Sequence, residues 1–392
     1  MTSIQGHCDP HFAPVRDILA QNLSSEKELG ASICVSIHGK PVIDVWGGHA
    51  TPARDRPWEQ DTIVPVWSIS KTITALAALL LIDRGQLDPD DPVAKYWPAF
   101  DTEDKRPILV RHLLAHTAGL PSWEPEIDFD TLFNVPLATE KLLSQKPWWE
   151  PGSVSGYHLI SHGHLLNGLI ERVAGKPLGE FVREELSLPR GADFHMGITD
   201  EKEWARIGEL LPAPEIPREA LEAAAKAPGG PSIAVRAFMG FRMQAAYSAT
   251  PEFRRSGIGS IGGFSNAKGF NRILDIITLG GEVDGVRYLK PETVDLIFQT
   301  QTEGPDLILG DNLKMGIGFG LANGTVDWMP TGRRVCFWGG WGGSLAVMDL
   351  DRGVTFTYAM NRMEQGTLGN SNAHAYIKAV YKVLDGIEQA SL

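Results

Sequence analysis

The run SISKTITALAALLLIDR, from Ser68 to Arg84, constrains this chain more than any other segment. After Lys71 it is apolar on almost every face, and Gly85 follows as a C-terminal stop, so it reads as a helix buried in the interior. A helix of that kind has no solvated side on which to place a charge. Lys71 is the one lysine it carries, and an unpaired buried lysine is costly unless it has a role.

Strand-like runs lie far from this helix in sequence, at both ends of the chain. ASICVSI and PVIDVW flank a hairpin turn at His38-Gly39-Lys40, and RRVCFW, SLAVMDL and VTFTYAM follow one another near the C-terminus, the last two joined by Asp351-Arg352-Gly353. Amphipathic helices precede and follow these runs. Phe12, Val15, Ile18, Leu19 and Leu23 form one apolar face, and Tyr376, Ile377, Val380, Val383 and Leu384 form the other. The pattern predicts an α/β domain built from residues 1–66 and 285–392, with a mostly helical domain, 67–284, inserted between them. Residues 203–256 are rich in proline, alanine and charge and read as a lid-like insertion.

Composition narrows the function classes. The net charge of −12 disfavours a nucleic-acid surface, which needs a positive field. The three cysteines, Cys8, Cys34 and Cys336, are widely spaced and suggest neither a disulfide framework nor a metal cluster. The longest apolar run is too short to span a bilayer, and no signal peptide is evident, so a soluble cytoplasmic protein is expected. His112/His116 and His158/His162 have the i, i+4 spacing of helical metal ligands but lack the glutamate of a zinc-protease motif. The glycine pattern at Gly257–Gly262 follows no hydrophobic strand, so a dinucleotide site is not expected. No metal or cofactor is implied.

A serine one turn before a lysine has a chemical logic when the pair opens a buried helix. The two side chains share a face, the helix start favours developing negative charge, and burial favours the neutral amine that can take the serine proton. The pattern occurs three times, at Ser24–Lys27, Ser68–Lys71 and Ser265–Lys268. The first lies in a charged turn, and Ser265 reads as a helix cap. Ser68–Lys71 is the pair that enters the buried helix. Two further segments bear on it. Tyr157 stands just before a helix, placed to share protons with Ser68, and CFWGGWGGSLAVMDL has glycines where a backbone or ligand comes close.

These pieces, SISK, GQLDPDDPVAKYWPAF, ILVRHLLAHTAGL, EPGSVSGYHL, GIGSIGGFSNAKGF and WGGWGGS, run in order over nearly the whole chain. In that order they resemble the serine β-lactamases and penicillin-binding proteins of the class C type, and most of all the family VIII carboxylesterases. The resemblance implies a serine β-lactamase-like fold: an antiparallel sheet flanked by helices, an inserted helical domain, and a site in the groove between them. It implies Ser68 as nucleophile, Lys71 and Tyr157 as proton-transfer partners, and the N–H groups of Ser68 and Trp341 as oxyanion hole. Trp338, Gly339 and Gly340 take the place of the β-lactamases' Lys-Thr-Gly strand, and Leu159 takes the place of the asparagine in Tyr-x-Asn, with His158 between. Trp338, Gly339, Gly340 and His158 are therefore the expected substrate contacts.

The expected function is a carboxylesterase acting through an acyl-enzyme on small neutral esters. An indole in place of the family's lysine offers no cation for a substrate carboxylate, and two tryptophans crowding the groove favour short acyl groups. A β-lactamase or D-amino-acid peptidase would share every catalytic residue. An acyltransferase would divert the acyl group to another acceptor, and a binding module on the same scaffold would need none of the three catalytic side chains. Oligomeric state is not legible.

Overall fold

Strand β2, Gly30–Ile37, is buried along all but its last residue, which requires cover on both faces. The computed structural model of this protein describes residues 4–324, 328–329 and 334–390, and shows how that cover arises. Small polar side chains project from one face of the strand and large apolar ones from the other. Helix α6, Ala267–Thr278, packs on the polar face. There the hydroxyls of Ser36 and Thr355 both donate to Asp275 Oδ1, at 2.6 Å each, and Ser32 Oγ accepts the Ala267 N–H. On the other side helices α1, Ala13–Ser24, and α7, Ser371–Ala390, pack together.

Among the described residues the main sheet has nine antiparallel strands. They are β1 (Gln5–Cys8), β2, β3 (Lys40–Gly48), β4 (Thr302–Pro305), β5 (Asn312–Met315), β6 (Gly320–Leu321), β7 (Val335–Gly339), β8 (Leu345–Asp349) and β9 (Val354–Met360). Their order is β1-β3-β2-β9-β8-β7-β6-β5-β4. The two ends of the chain meet at the centre of the sheet, where β2 pairs with β9 from Val354↔Ile37 to Met360↔Ala31. The hairpins at His38-Gly39 and Asp351-Arg352-Gly353 stand as the sequence predicts. Arg333, the first residue of the expected strand RRVCFW, lies outside the described residues. CFWGGWGGSLAVMDL is two strands, β7 and β8, and Trp341 sits in the turn between them.

The central helix α2 spans Ile69–Asp83, is buried from Ile69 to Leu81, and ends before Gly85 at φ 68°. It lies between the sheet side, where it meets α6 and β7, and helix α3, Ser161–Ala174, of the helical region. Two details depart from expectation. Helix α6 falls in the segment read as part of the helical domain, yet it packs on the sheet. Its cap is Asn266, whose side chain accepts from Gly269 N, while Ser265 Oγ donates to the carbonyls of Asp193 and Asn266. Residues 203–256 include helices α4, Arg218–Ala225, and α5, Ile233–Gly240. No helix among the described residues is long and apolar enough to cross a membrane.

Candidate active site

Ser68 sits at the entrance of α2 and lines a cavity of about 790 Å³. The residue before it, Trp67, has φ 50°, a left-handed conformation that a bulky residue adopts only under constraint. Part of the constraint is visible. Ser70 Oγ donates to the Trp67 carbonyl and accepts the Gly263 N–H, clamping the turn that presents Ser68. Gly340 completes it from the sheet side, because a Cβ at that position would lie 2.4 Å from the Val66 carbonyl. Only glycine permits that approach.

Lys71 is buried, with Nζ 3.1 Å from Ser68 Oγ, 2.7 Å from the Leu159 carbonyl and 3.1 Å from the Ser260 carbonyl. Burial drives its amine well below the ordinary lysine value. In the neutral form two N–H bonds satisfy the two carbonyls, which can only accept. The lone pair is then left facing the Ser68 hydroxyl. That is the arrangement of a general base. Ser24 and Lys268, from the other two pairs, play no such part. Ser24 Oγ donates to Gln21 O at the exposed end of α1, and Lys268 pairs with Asp44 at 2.7 Å.

Tyr157 stands beside the pair, with Lys71 Nζ 4.7 Å from the centre of its ring. Burial raises its phenol above the ordinary tyrosine value, so the hydroxyl keeps its proton at neutral pH. Three groups fix it in place. Trp338 Nε1 donates to its oxygen at 3.0 Å, the His116 ring meets its ring edge-on at 4.7 Å, and Asp306 Oδ1 accepts its backbone N–H at 3.0 Å. Asp306 is buried. It also accepts the Ser155 hydroxyl and the N–H groups of Ile308 and Leu309, so one carboxylate ties the loop after β4 to the loop carrying Tyr157.

The expected substrate contacts lie elsewhere. His158 is buried, with Nδ1 2.7 Å from the Gly156 carbonyl and Nε2 accepting Leu120 N–H, so both ring nitrogens are committed to the backbone. Trp338 is buried with its indole turned to Tyr157. Gly339 and Gly340 are also buried, and the Gly340 N–H is taken by Ser344 O. None of these four lines the cavity: His158 is turned to the Gly156 and Leu120 backbone, and Trp338, Gly339 and Gly340 face Tyr157 or neighbouring backbone. Trp341 does line it, edge-on to Trp67 with ring centres 5.0 Å apart. The N–H groups of Ser68 and Trp341 have no hydrogen-bond partner among the described residues.

Sequence reasoning passed over Asp306, Ser260 and His116 as parts of the site. His116 was visible only as half of a metal-like histidine pair. In the structure its left-handed backbone, φ 61°, sets it against Tyr157 and His162, while His112 turns away to accept Leu109 N–H. The link from Asp306 to the site had no local signal, because Ser155 and Tyr157 lie about 150 positions earlier.

Comparison with known proteins bears on the same region. A model of the family described as "Beta-lactamase" matches residues 15–381. The Esterase/beta-lactamase LipL of Mycobacterium tuberculosis is 32% identical over 368 residues, covering 91% of this chain and 83% of that protein. The crystal structure of a family VIII carboxylesterase superposes with a TM-score of 0.86 at 29% identity, covering 97% of this chain and all of that one. A penicillin-binding protein homologue from Caulobacter crescentus gives a TM-score of 0.86 at 31% identity, again over 97% of this chain and 100% of that chain.

Proposed function

The chain belongs to the beta-lactamase family and is a serine hydrolase, a carboxylesterase, and from that premise we propose that Ser68 is its nucleophile and Lys71 the base that activates it. One observation carries the assignment. The Lys71 amine, kept neutral by burial, has both N–H bonds engaged by carbonyls and its remaining position 3.1 Å from Ser68 Oγ. Lys71 takes the hydroxyl proton as Ser68 Oγ bonds to the ester carbonyl carbon. The N–H groups of Ser68 and Trp341 hold the oxygen that becomes negative. Tyr157, still protonated, donates to the departing alkoxide oxygen and takes in return the proton that Lys71 removed from Ser68, which leaves the lysine neutral again. Water then attacks the acyl-enzyme by the same route in reverse and releases the acid.

The substrate is a neutral ester. Trp338 supplies no cation, and Arg242, the one positively charged side chain on the described lining, is paired with Glu215 at 3.4 Å. A carboxylate-bearing substrate would lose hydration there without a free counter-charge. The test is labelling with a fluorophosphonate followed by peptide mapping. The adduct is expected on Ser68, with Ser68→Ala losing both label and ester turnover. An adduct on any other serine overturns the assignment.

A further inference from the structure

Resting on the esterase reading above, we infer that this enzyme selects neutral esters carrying a large apolar group, of octanoyl or naphthyl size, and that the wall formed by residues 214–243 makes the selection. The argument begins with space. A cavity near 790 Å³ is of the size that encloses drug-sized ligands, and an acetyl ester fills a small part of it. Of the two tryptophans expected to narrow the groove, Trp338 faces Tyr157 and Trp341 alone reaches the cavity, while Trp67 and Trp328 line it as buried wall.

The lining has uncovered apolar surface. Helix α4 has no buried residue, yet its Leu221 lines the cavity, as do Phe238 of α5 and Met243 beyond it, all half-buried. Ile216, just before α4, is 49% exposed and lines it too. Apolar side chains gathered on one concave surface and left open to water mark a place where an apolar ligand is covered. The facing wall matches. Ile308 and Leu309 stand on the loop that Asp306 fixes, so this side is rigid.

Charge on the lining points the same way. Among the described residues of the lining, Glu215 and Asp311 contribute two carboxylates against the one guanidinium of Arg242. An anionic group gains nothing from this surface, whereas a neutral chain or ring covers apolar surface at no electrostatic cost. The wall is anchored rather than loose. Leu211 exchanges backbone hydrogen bonds with Asn361 and Met363, and Gln365 Nε2 donates to Pro214 O at 3.1 Å.

The experiment is a pair of substrate series on the full chain. One holds the leaving group constant, p-nitrophenyl acetate, butyrate and octanoate. The other holds the acyl group constant, phenyl acetate and 1-naphthyl acetate. In at least one series kcat/KM is expected to rise by about tenfold or more with size, mainly through KM, the scale on which an apolar pocket discriminates added carbon. Ile216→Ser and Phe238→Ser are each expected to cut the large-to-small ratio in that series about fivefold. Ile216 is exposed enough for its replacement to leave folding intact. Ratios that stay flat or fall with size in both series, or that neither variant changes, overturn the inference. If the esters turn over through Ser68 without regard to size, only the selection falls. If no ester turns over, or another serine is labelled, it is the esterase reading that fails.

Discussion

Lys71 and Glu28 are both 2% exposed ionisable groups held by hydrogen bonds, yet one sits at the cavity and the other is sealed behind the sheet. Burial pushes both toward neutrality. It lowers the lysine well below its ordinary value and pushes the Glu28 carboxyl up to about 8. Glu28 lies between helix α7 and strand β9, where the hydroxyls of Tyr358 and Tyr376 both donate to its Oε1 and the two tyrosine rings pack 5.4 Å apart. Its partners are phenol hydroxyls, and it is not on the lining of the cavity that Ser68 opens into. Lys71 has the same kind of shift, but its free position faces Ser68 Oγ beside an open space. A perturbed pKa therefore reports removal from water. What turns it into chemistry is the atom the neutral group faces.

Replacing each group tests that contrast most sharply. Lys71→Arg is expected to lower kcat for a neutral ester by roughly 10³-fold, because a guanidinium stays charged and cannot accept the Ser68 proton. In the wild type, activity is expected to rise with pH through an apparent pKa below the usual lysine range, since only the neutral amine acts. Near-normal turnover by the arginine variant, measured in steady-state assays, would move the base to another residue. Glu28→Gln is expected to keep wild-type turnover.

The same logic of uncompensated charge extends to the substrate. With Trp338 in place of a lysine and Arg242 paired, kcat/KM for a neutral ester is expected to exceed that for a cephalosporin by at least ~100-fold, or roughly 2.7 kcal/mol in the transition state. Trp338→Lys should narrow the gap, partly by removing the indole N–H from Tyr157. Equal efficiency in the wild type would show that a fixed cation at this strand is not what separates the two substrate classes.

The last effect is on stability, not on turnover. Glu28 titrates near 8 in the folded chain against 4.5 for an unperturbed glutamate. Between those values the folded state holds a proton that the unfolded state has released. Stability from this group is therefore greatest below pH 4.5 and falls as pH rises to 8, by up to a few kcal/mol. Lys71 has the opposite sign, because there the unfolded state holds the extra proton. Melting curves across pH 5–8 are expected to show the Glu28 decline, and Glu28→Gln to flatten it. An unchanged slope in the variant would mean that another group sets it.

Much of this was legible in the chain itself. Periodicity and turn residues are local, so the buried helix behind Ser68, the hairpins at His38-Gly39 and Asp351-Arg352-Gly353, and the terminal helices could all be read from short windows. The identity of the Ser68, Lys71 and Tyr157 set came from the order of motifs along the chain. Tertiary structure decided which atoms meet. Alternation along β7 places Trp338 and its neighbours on opposite faces of the strand, but only pairing with β6 and β8 determines that its indole turns to Tyr157 and leaves the cavity open. In the same way His158 lies next to Tyr157 in sequence, yet it points into backbone and not toward substrate. Asp306 reaches Tyr157 across about 150 residues, a contact with no local trace. Such pairings depend on the packing of the whole domain, because hydrogen-bond geometry is set by distances in space and the chain order does not encode them residue by residue.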